Sequence, residues 1–479
     1  MLKPLFRFNR RLLAIWGIIL TIFLPLYPKF PLFFLSGQKV AIRLDDLLVF
    51  FGFLVFLLAD LETKFSTLKK PFIRLVALFL GAYTLATLNG IFLGHDLNAN
   101  TGLLHLLRRF QYFSVFLLIS KSLESTRRIR DYLWAGVLAL LGVTIYGLGQ
   151  KFFFWPIIST MNEEFAKGIL LTVTSFTRVS STFAGHYDLA AFLSLFLPLF
   201  LIFSLSFKKL YLKLPLLLLW TCSFYLLILT ASRVSFATHF IAGIAILLFA
   251  KKFLWLFPFL ALNVIAMFIS PELNQRLVAS FHYDLVRQLD QIAWLRPKPP
   301  TPTSLPTLVP LIPTIAPIVQ NTRPNQPTPT PQKKKATSSA EFVWPQESIT
   351  ESAYRSSSVR YEVEWPRAWR ALKKNPLLGT GPGSLTLATD NDFLRALGEA
   401  GLLGFLAWVL PIFFLFTQTI ASISKKHPQR PLLVAFSFLI ITMFLNATLI
   451  DVFEASKVAY FFWISMALLL ALIEKPEAY

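Results

Sequence analysis

The chain has 479 residues, 55% of them hydrophobic and 15% charged, a balance that excludes an ordinary water-soluble globule. In a soluble chain the formal net charge of +21 would point to nucleic acid. In a membrane protein lysine and arginine anchor the cytoplasmic loops, so no nucleic-acid partner is expected.

The first residues, MLKPLFRFNRRLLAIWGIIL, pair a basic start with an apolar run that continues past residue 25 without a small-residue cleavage site. They read as a retained first span. Apolar stretches of bilayer length recur near 12–35, 44–60, 73–94, 103–120, 132–153, 188–206, 209–230, 232–250, 252–270, 397–420, 431–450 and 455–473. The expected fold is therefore an all-α polytopic membrane protein with about twelve spans. Three regions follow: membrane helices over 1–270, a large extracytoplasmic loop over 271–396, and membrane helices over 397–479.

Sidedness follows from the basic residues. With the N-terminus inside, the inside connections hold Lys64, Lys69, Lys70 and Arg74, then Lys121, Arg127, Arg128 and Arg130, with Lys208, Lys209 and Lys213 further on. The short outside connections near 95–102 and 451–454 hold none. Two long segments, 154–187 and 271–396, then fall outside. The second contains a proline-rich piece, 296–335, whose composition cannot build a packed core and reads as an insert or spacer. Downstream, SSSVRYEVEWPRAWRALKKNPLLG (356–379) reads as a short amphipathic helix with Trp365 and Trp369 at headgroup level. Cys222 is the only cysteine, which leaves no disulfide framework and no thiol metal site.

Three arginines stand out on the outer face. Arg178 precedes span six, Arg233 lies in a nearly loopless turn between spans seven and eight, and Arg360 is in the outer loop. One such arginine is accommodated by snorkelling; three on the face where basic residues are disfavoured point to an anion site, since the guanidinium fork suits phosphate oxygens. The same face carries Asp390, Asn391, Asp392 and Glu399. Glu399 lies inside span ten, where a carboxylate is expensive and so paired or functional. Asp390 and Asp392 could ligate a hard cation or simply begin a helix. His186 and His239 read as hydrogen-bonded structural groups. No charges are expected through the span centres, where proton-coupled transporters carry them. A glycine loop, GTGPGS (379–384), runs into span ten. It is either a plain turn or a set of backbone amides aimed, with the helix N-terminus, at an anion.

These stretches together resemble the O-antigen ligase-like family of bacterial membrane glycosyltransferases, which includes O-antigen ligases, O-antigen polymerases and protein O-oligosaccharyltransferases. RVSSTFAGHYDLAAFLSLFLP (178–198) is similar to the family's Arg-x-x-Gly-Thr-Phe, Pro-Asn, Leu-Ala pattern, with Ser181 and Tyr187-Asp188 as departures. LTASRVSFATHF is similar to its Ser-Arg step. Residues 360–384 with DNDFLRALGEAGLLGFLAW (390–408) resemble its loop ending and Glu-x-Gly-Leu-x-Gly span, with Asp390 where the family has histidine. The resemblance implies a C-type glycosyltransferase architecture and transfer of a glycan from an undecaprenyl-pyrophosphate carrier to an acceptor hydroxyl at the outer face. It implies no cofactor or essential metal.

By the same resemblance, Asp390 is a candidate catalytic group and Arg233 and Arg360 are candidate substrate-binding ones; by their place on the outer face, Glu399 joins the first and Arg178 and Asn391 the second. The implied partners are the lipid-linked donor, a glycan, lipid or protein acceptor, and membrane lipids, at the cytoplasmic membrane. The alternatives are a polymerase of the same superfamily, an exporter of a lipid-linked glycan, or a non-catalytic binder.

Overall fold

The computed structural model describes residues 3–28, 30–34, 41–94, 97–123, 127–158, 170–172, 178–270, 273–274, 359–385, 388–424 and 427–474. The proline-rich piece 296–335 and most of the expected outer loop lie outside the described residues.

A helix lies at each of the twelve apolar stretches: α1 (Lys3–Leu26), α2 (Leu44–Glu62), α3 (Pro71–Leu88), α4 (Ala99–Ser122), α5 (Arg127–Phe152), α6 (His186–Ser206), α7 (Leu210–Leu229), α8 (Arg233–Phe249), α9 (Leu256–Ile269), α11 (Asp392–Ser424), α12 (Arg430–Ala447) and α13 (Ser456–Glu474). The short α10 (Trp365–Lys374) precedes α11, where the sequence places an amphipathic helix. Among the described residues, eight helices are long and apolar enough to cross a membrane by length and composition. Leu12–Leu26, Arg233–Phe249 and Phe253–Ile269 are shorter apolar helices.

Two boundaries differ from the sequence reading. The first apolar run is read to residue 35, but α1 stops at Leu26, because Pro25, Pro28 and Pro31 remove donors and disfavour helix in succession. The chain turns instead into a hairpin, β1 (Pro31–Phe34) pairing antiparallel with β2 (Ala41–Arg43). The helix expected as the tenth span, α11, begins at Asp392, five residues before the expected 397, because Asn391 caps it there: its side-chain oxygen accepts from the Leu394 amide at 2.9 Å. A second small hairpin pairs β3 (Pro156–Ile158) with β4 (Leu170–Thr172).

α6 and α13 are apolar all round, as a helix must be when neighbours cover every face. Their hydrophobic windows are 94% buried, against 39% for α7. Around these two, α4 packs on α13, α12 on α6, and α11 on α3, while α1 packs on α5. The outer helices turn Phe50, Phe51, Phe92, Phe257 and Phe268 outward. Apolar surface of that extent is unfavourable in water and matches a lipid environment.

Candidate functional site

The glycine loop takes part in a backbone exchange with α11. Gly401 has φ 63° and ψ −169°, which breaks the helix there. The amides of Leu402 and Leu403, which would bond the Gly398 and Glu399 carbonyls in an unbroken helix, instead donate to Pro376 O and Leu377 O at 2.9 and 3.1 Å. The two orphaned carbonyls accept from Thr380 N and Gly381 N at 3.0 and 2.8 Å. Segment 376–381 thus replaces one turn of helix, and every freed group is satisfied. Glycine is required where the two backbones meet: a Cβ on Gly379 would stand 2.5 Å from the Glu399 carbonyl carbon, and one on Gly401 2.3 Å from Leu377 O.

The amides expected to cradle an anion are therefore engaged within the protein. The N-terminus of α11 is engaged as well. Asp451, in the turn between α12 and α13, accepts from Thr389 N at 2.8 Å and Asn391 N at 3.0 Å. Asn391 Nδ2 donates to Thr448 O at 3.0 Å, and Phe453 N donates to Asp392 at 3.1 Å. Asp392 and Asp451 are thus hydrogen-bonding anchors, and among the described residues no group of three or more His, Cys, Asp or Glu is placed to hold a metal ion.

Asp390 precedes this helix at φ 48°, a left-handed conformation that turns its side chain toward Arg360. Arg360 donates to one Asp390 oxygen through Nε at 2.9 Å and Nη2 at 2.8 Å. The guanidinium is 9% exposed and the carboxylate 30%, so the pair is anchored inside and open on the acid's side. Burial raises the Asp390 carboxyl above its ordinary range, and the Arg360 charge opposes that rise. Glu364, one turn along, is pushed up to about 7 by burial and then by the Asp390 charge.

A second charged cluster backs the first. Arg395, one turn into α11, bonds Asp451 at 2.9 Å, lies 3.4 Å from Glu399 and 3.9 Å from Glu454. Glu454 also pairs with Arg109 of α4 and lies 4.0 Å from His105 Nδ1. Burial works against the Glu454 carboxylate, yet Arg109, Arg395 and His105 together hold it below the usual range. Glu399 is 1% exposed, which places it behind Arg395 and away from the opening. The volume enclosed by Tyr83, Arg109, Glu399 and Trp408 is about 20 Å³, on the order of one water.

The expectation of uncharged span centres is corrected by α4: Arg108 and Arg109 lie well inside a 24-residue helix. Two adjacent arginines in an otherwise apolar run were the available signal. Asp451, Arg395 and Glu454 also went unread, because nothing in their local sequence marks them as partners.

Arg178 and Arg233 sit on other elements at the same end of the bundle. Arg178 Nη1 lies 2.8 Å from His186 Nε2 at the start of α6. Four residues on from Arg178, Thr182 O accepts from buried Lys457, which also donates to Pro25 O. Lys457 follows the turn that carries Asp451 and Glu454. Arg233 opens α8; two residues later Ser235 donates to Asn446 at 2.9 Å, in the last turn of α12 that leads to the same turn. The six expected residues thus occupy one end, with Arg360, Asp390 and Asn391 contiguous and Glu399 joined through Arg395. His239 departs from its expected hydrogen-bonded role: it is fully buried among Trp220, Phe224 and Phe259, and among the described residues neither ring nitrogen has a hydrogen-bond partner.

Residues 216–409 match the family model described as O-Antigen ligase. The matched range holds Arg233, Arg360, Asp390, Asn391 and Glu399, and supports an O-antigen ligase-like family for the chain. No curated protein matches it.

Proposed function

We propose, from the premise that this chain is of an O-antigen ligase-like family, that it is a membrane glycosyltransferase of cell-surface polysaccharide synthesis. It moves a glycan from undecaprenyl pyrophosphate to an acceptor hydroxyl at the outer face of the cytoplasmic membrane. The observation that carries the reading is the Arg360–Asp390 pair, where a guanidinium able to take phosphate is held by a carboxylate able to take a proton.

Arg178 and Arg233 hold the donor's pyrophosphate, and Arg360 joins them by exchanging Asp390 for phosphate oxygen. The released Asp390 loses its neutralising partner and gains basicity beside the new anion. The acceptor oxygen then bonds the anomeric carbon, the bond from that carbon to phosphate oxygen breaks, and pyrophosphate leaves on its carrier with the electron pair. The hydroxyl proton passes to Asp390. The arginines stabilise the charge that develops on the leaving phosphate. Glu399 orients Arg395, and Asn391 fixes the backbone that presents Asp390.

Purified protein supplied with a defined undecaprenyl-pyrophosphate oligosaccharide and a panel of acceptors tests this reading. A glycosylated acceptor with release of carrier pyrophosphate is expected. Intact donor with every acceptor, alongside measurable donor binding, would leave a non-catalytic binder.

A further inference from the structure

Lys457, in the first turn of α13, is buried at 3% exposure. Its ammonium donates to Thr182 O at 2.6 Å and Pro25 O at 2.9 Å, and stands 4.9 Å from the centre of the Phe183 ring. The two carbonyls belong to the last turn of α1 and to the turn before α6. One side chain of α13 therefore ties two other elements together. An ammonium is costly to bury, and fixed acceptors are what make its place tolerable.

The turn that Lys457 holds is the one that presents Arg178. Phe183 N donates to Ser180 O at 3.0 Å, which closes residues 180–183 into a tight turn. Ser181 sits in it at φ 52°, a left-handed conformation that serine rarely adopts. Other elements hold it there: Gln150 of α5 accepts from Ser181 N at 2.8 Å and donates to Ser181 O at 2.9 Å, and Ser181 Oγ donates to Val143 O at 2.7 Å. Arg178 and His186 flank the turn and meet at 2.8 Å. Where Arg178 points thus depends on how 181–183 are clamped by α5 and by Lys457.

Lys457 follows Asp451 by six positions. Asp451 holds the Thr389 and Asn391 amides and the Arg395 guanidinium, and with them the backbone from which Asp390 projects. Ala455 N donates to Asp451 O at 3.3 Å and Ala459 N to Ala455 O at 2.9 Å, so the turn runs directly into α13. The short stretch 451–457 grips the Asp390 backbone with its first residue and the Arg178 turn with its last. We propose that Lys457 is a positioning residue, setting Arg178 at a fixed place relative to the Arg360–Asp390 pair so that both meet one donor. This rests on the reading of Arg178 as a pyrophosphate-binding group. Cations on separate elements serve one pyrophosphate only while their spacing is kept, and a misplacement of about 1 Å can cost as much as a hundredfold.

The test uses full-length protein in micelles and measures binding of undecaprenyl-pyrophosphate oligosaccharide by wild type, Lys457→Met, Arg178→Gln and the double variant. Each single variant should bind about tenfold more weakly. The double variant should bind within about twofold of Arg178→Gln, because an arginine already removed cannot be misplaced. Hydrogen exchange should speed up over 178–186 in Lys457→Met and stay unchanged over 389–399, where Asp451 still holds the backbone. A lesion that merely loosened the bundle would spread to both segments and add to Arg178→Gln. If Lys457→Met fails to fold, Lys457→Gln, one bond shorter with a donor retained, is measured in the same way. A folded Lys457 variant that binds donor as wild type does, or a full tenfold added loss in the double variant, overturns this proposal alone. No donor binding by wild type overturns it together with the reading of Arg178.

Discussion

Arg360 sets both Nε and Nη2 on a single oxygen of Asp390, at 2.9 and 2.8 Å, across thirty residues of chain. Removing either partner strands the other. Asp390→Asn or Arg360→Gln should each lower stability by about 2–3 kcal/mol, since the partner keeps its charge in a largely buried place. The double variant should lose at least about 1 kcal/mol less than the sum of the two. Denaturation of the four proteins in micelles measures the cycle, and simple additivity would show that the two groups do not interact.

The two roles should fail differently in kinetics. Arg233→Lys keeps the charge and loses the bidentate fork, so donor binding and transfer should fall together, by about ten- to a hundredfold. Asp390→Asn keeps size and removes basicity; donor binding should hold while transfer slows by roughly a hundredfold or more. Transfer at the wild-type rate by Asp390→Asn would mean that the proton goes elsewhere. His105, beside Glu454, would then be the next group to replace.

The break in α11 depends on Gly401. Alanine there would be strained at φ 63° and would meet Leu377 O at 2.3 Å, costing about 3 kcal/mol or more. Gly81→Ala is the control, because a Cβ there meets nothing within 4 Å and its effect should be near zero. Thermal melting of both variants decides; equal midpoints would mean that the backbone exchange contributes little.

Glu364 gives a pH dependence. Its carboxyl is pushed up to about 7 in the folded protein, from an ordinary value of 4.5. The fold therefore holds this proton more tightly than the unfolded chain does. The stability it contributes is complete below about pH 4.5 and is lost as pH rises through 7. Glu364→Gln should flatten the stability profile between those values, and an unchanged profile would assign the slope to other groups.

Sidedness is tested by an impermeant thiol reagent on whole cells, in a Cys222→Ser background. Lys373→Cys, in α10, should be modified, and Lys209→Cys, before α7, should stay protected until the membrane is opened. The reverse labelling would place the charged end of the bundle inside and remove the proposed chemistry from the outer face.

Much of the architecture was legible in the sequence because hydropathy is a local property: a run of about twenty apolar residues specifies a helix wherever it lies, and proline specifies where it stops. Arg233, Arg360 and the stretch 379–408 were legible too, as polar groups in costly places. Arg108 and Arg109 carried the same signal in α4. Partnership could not be read in this way. Asp451 bonds residues some sixty positions away, and Glu454 pairs with Arg109 across 345. The glycines of 379–383 were visible as a loop, but why they must be glycine depended on a broken helix crossing them at backbone distance. Charge pairing and close backbone approach act through space between segments far apart in the chain, so only the tertiary structure could decide which arginine is paired with which carboxylate.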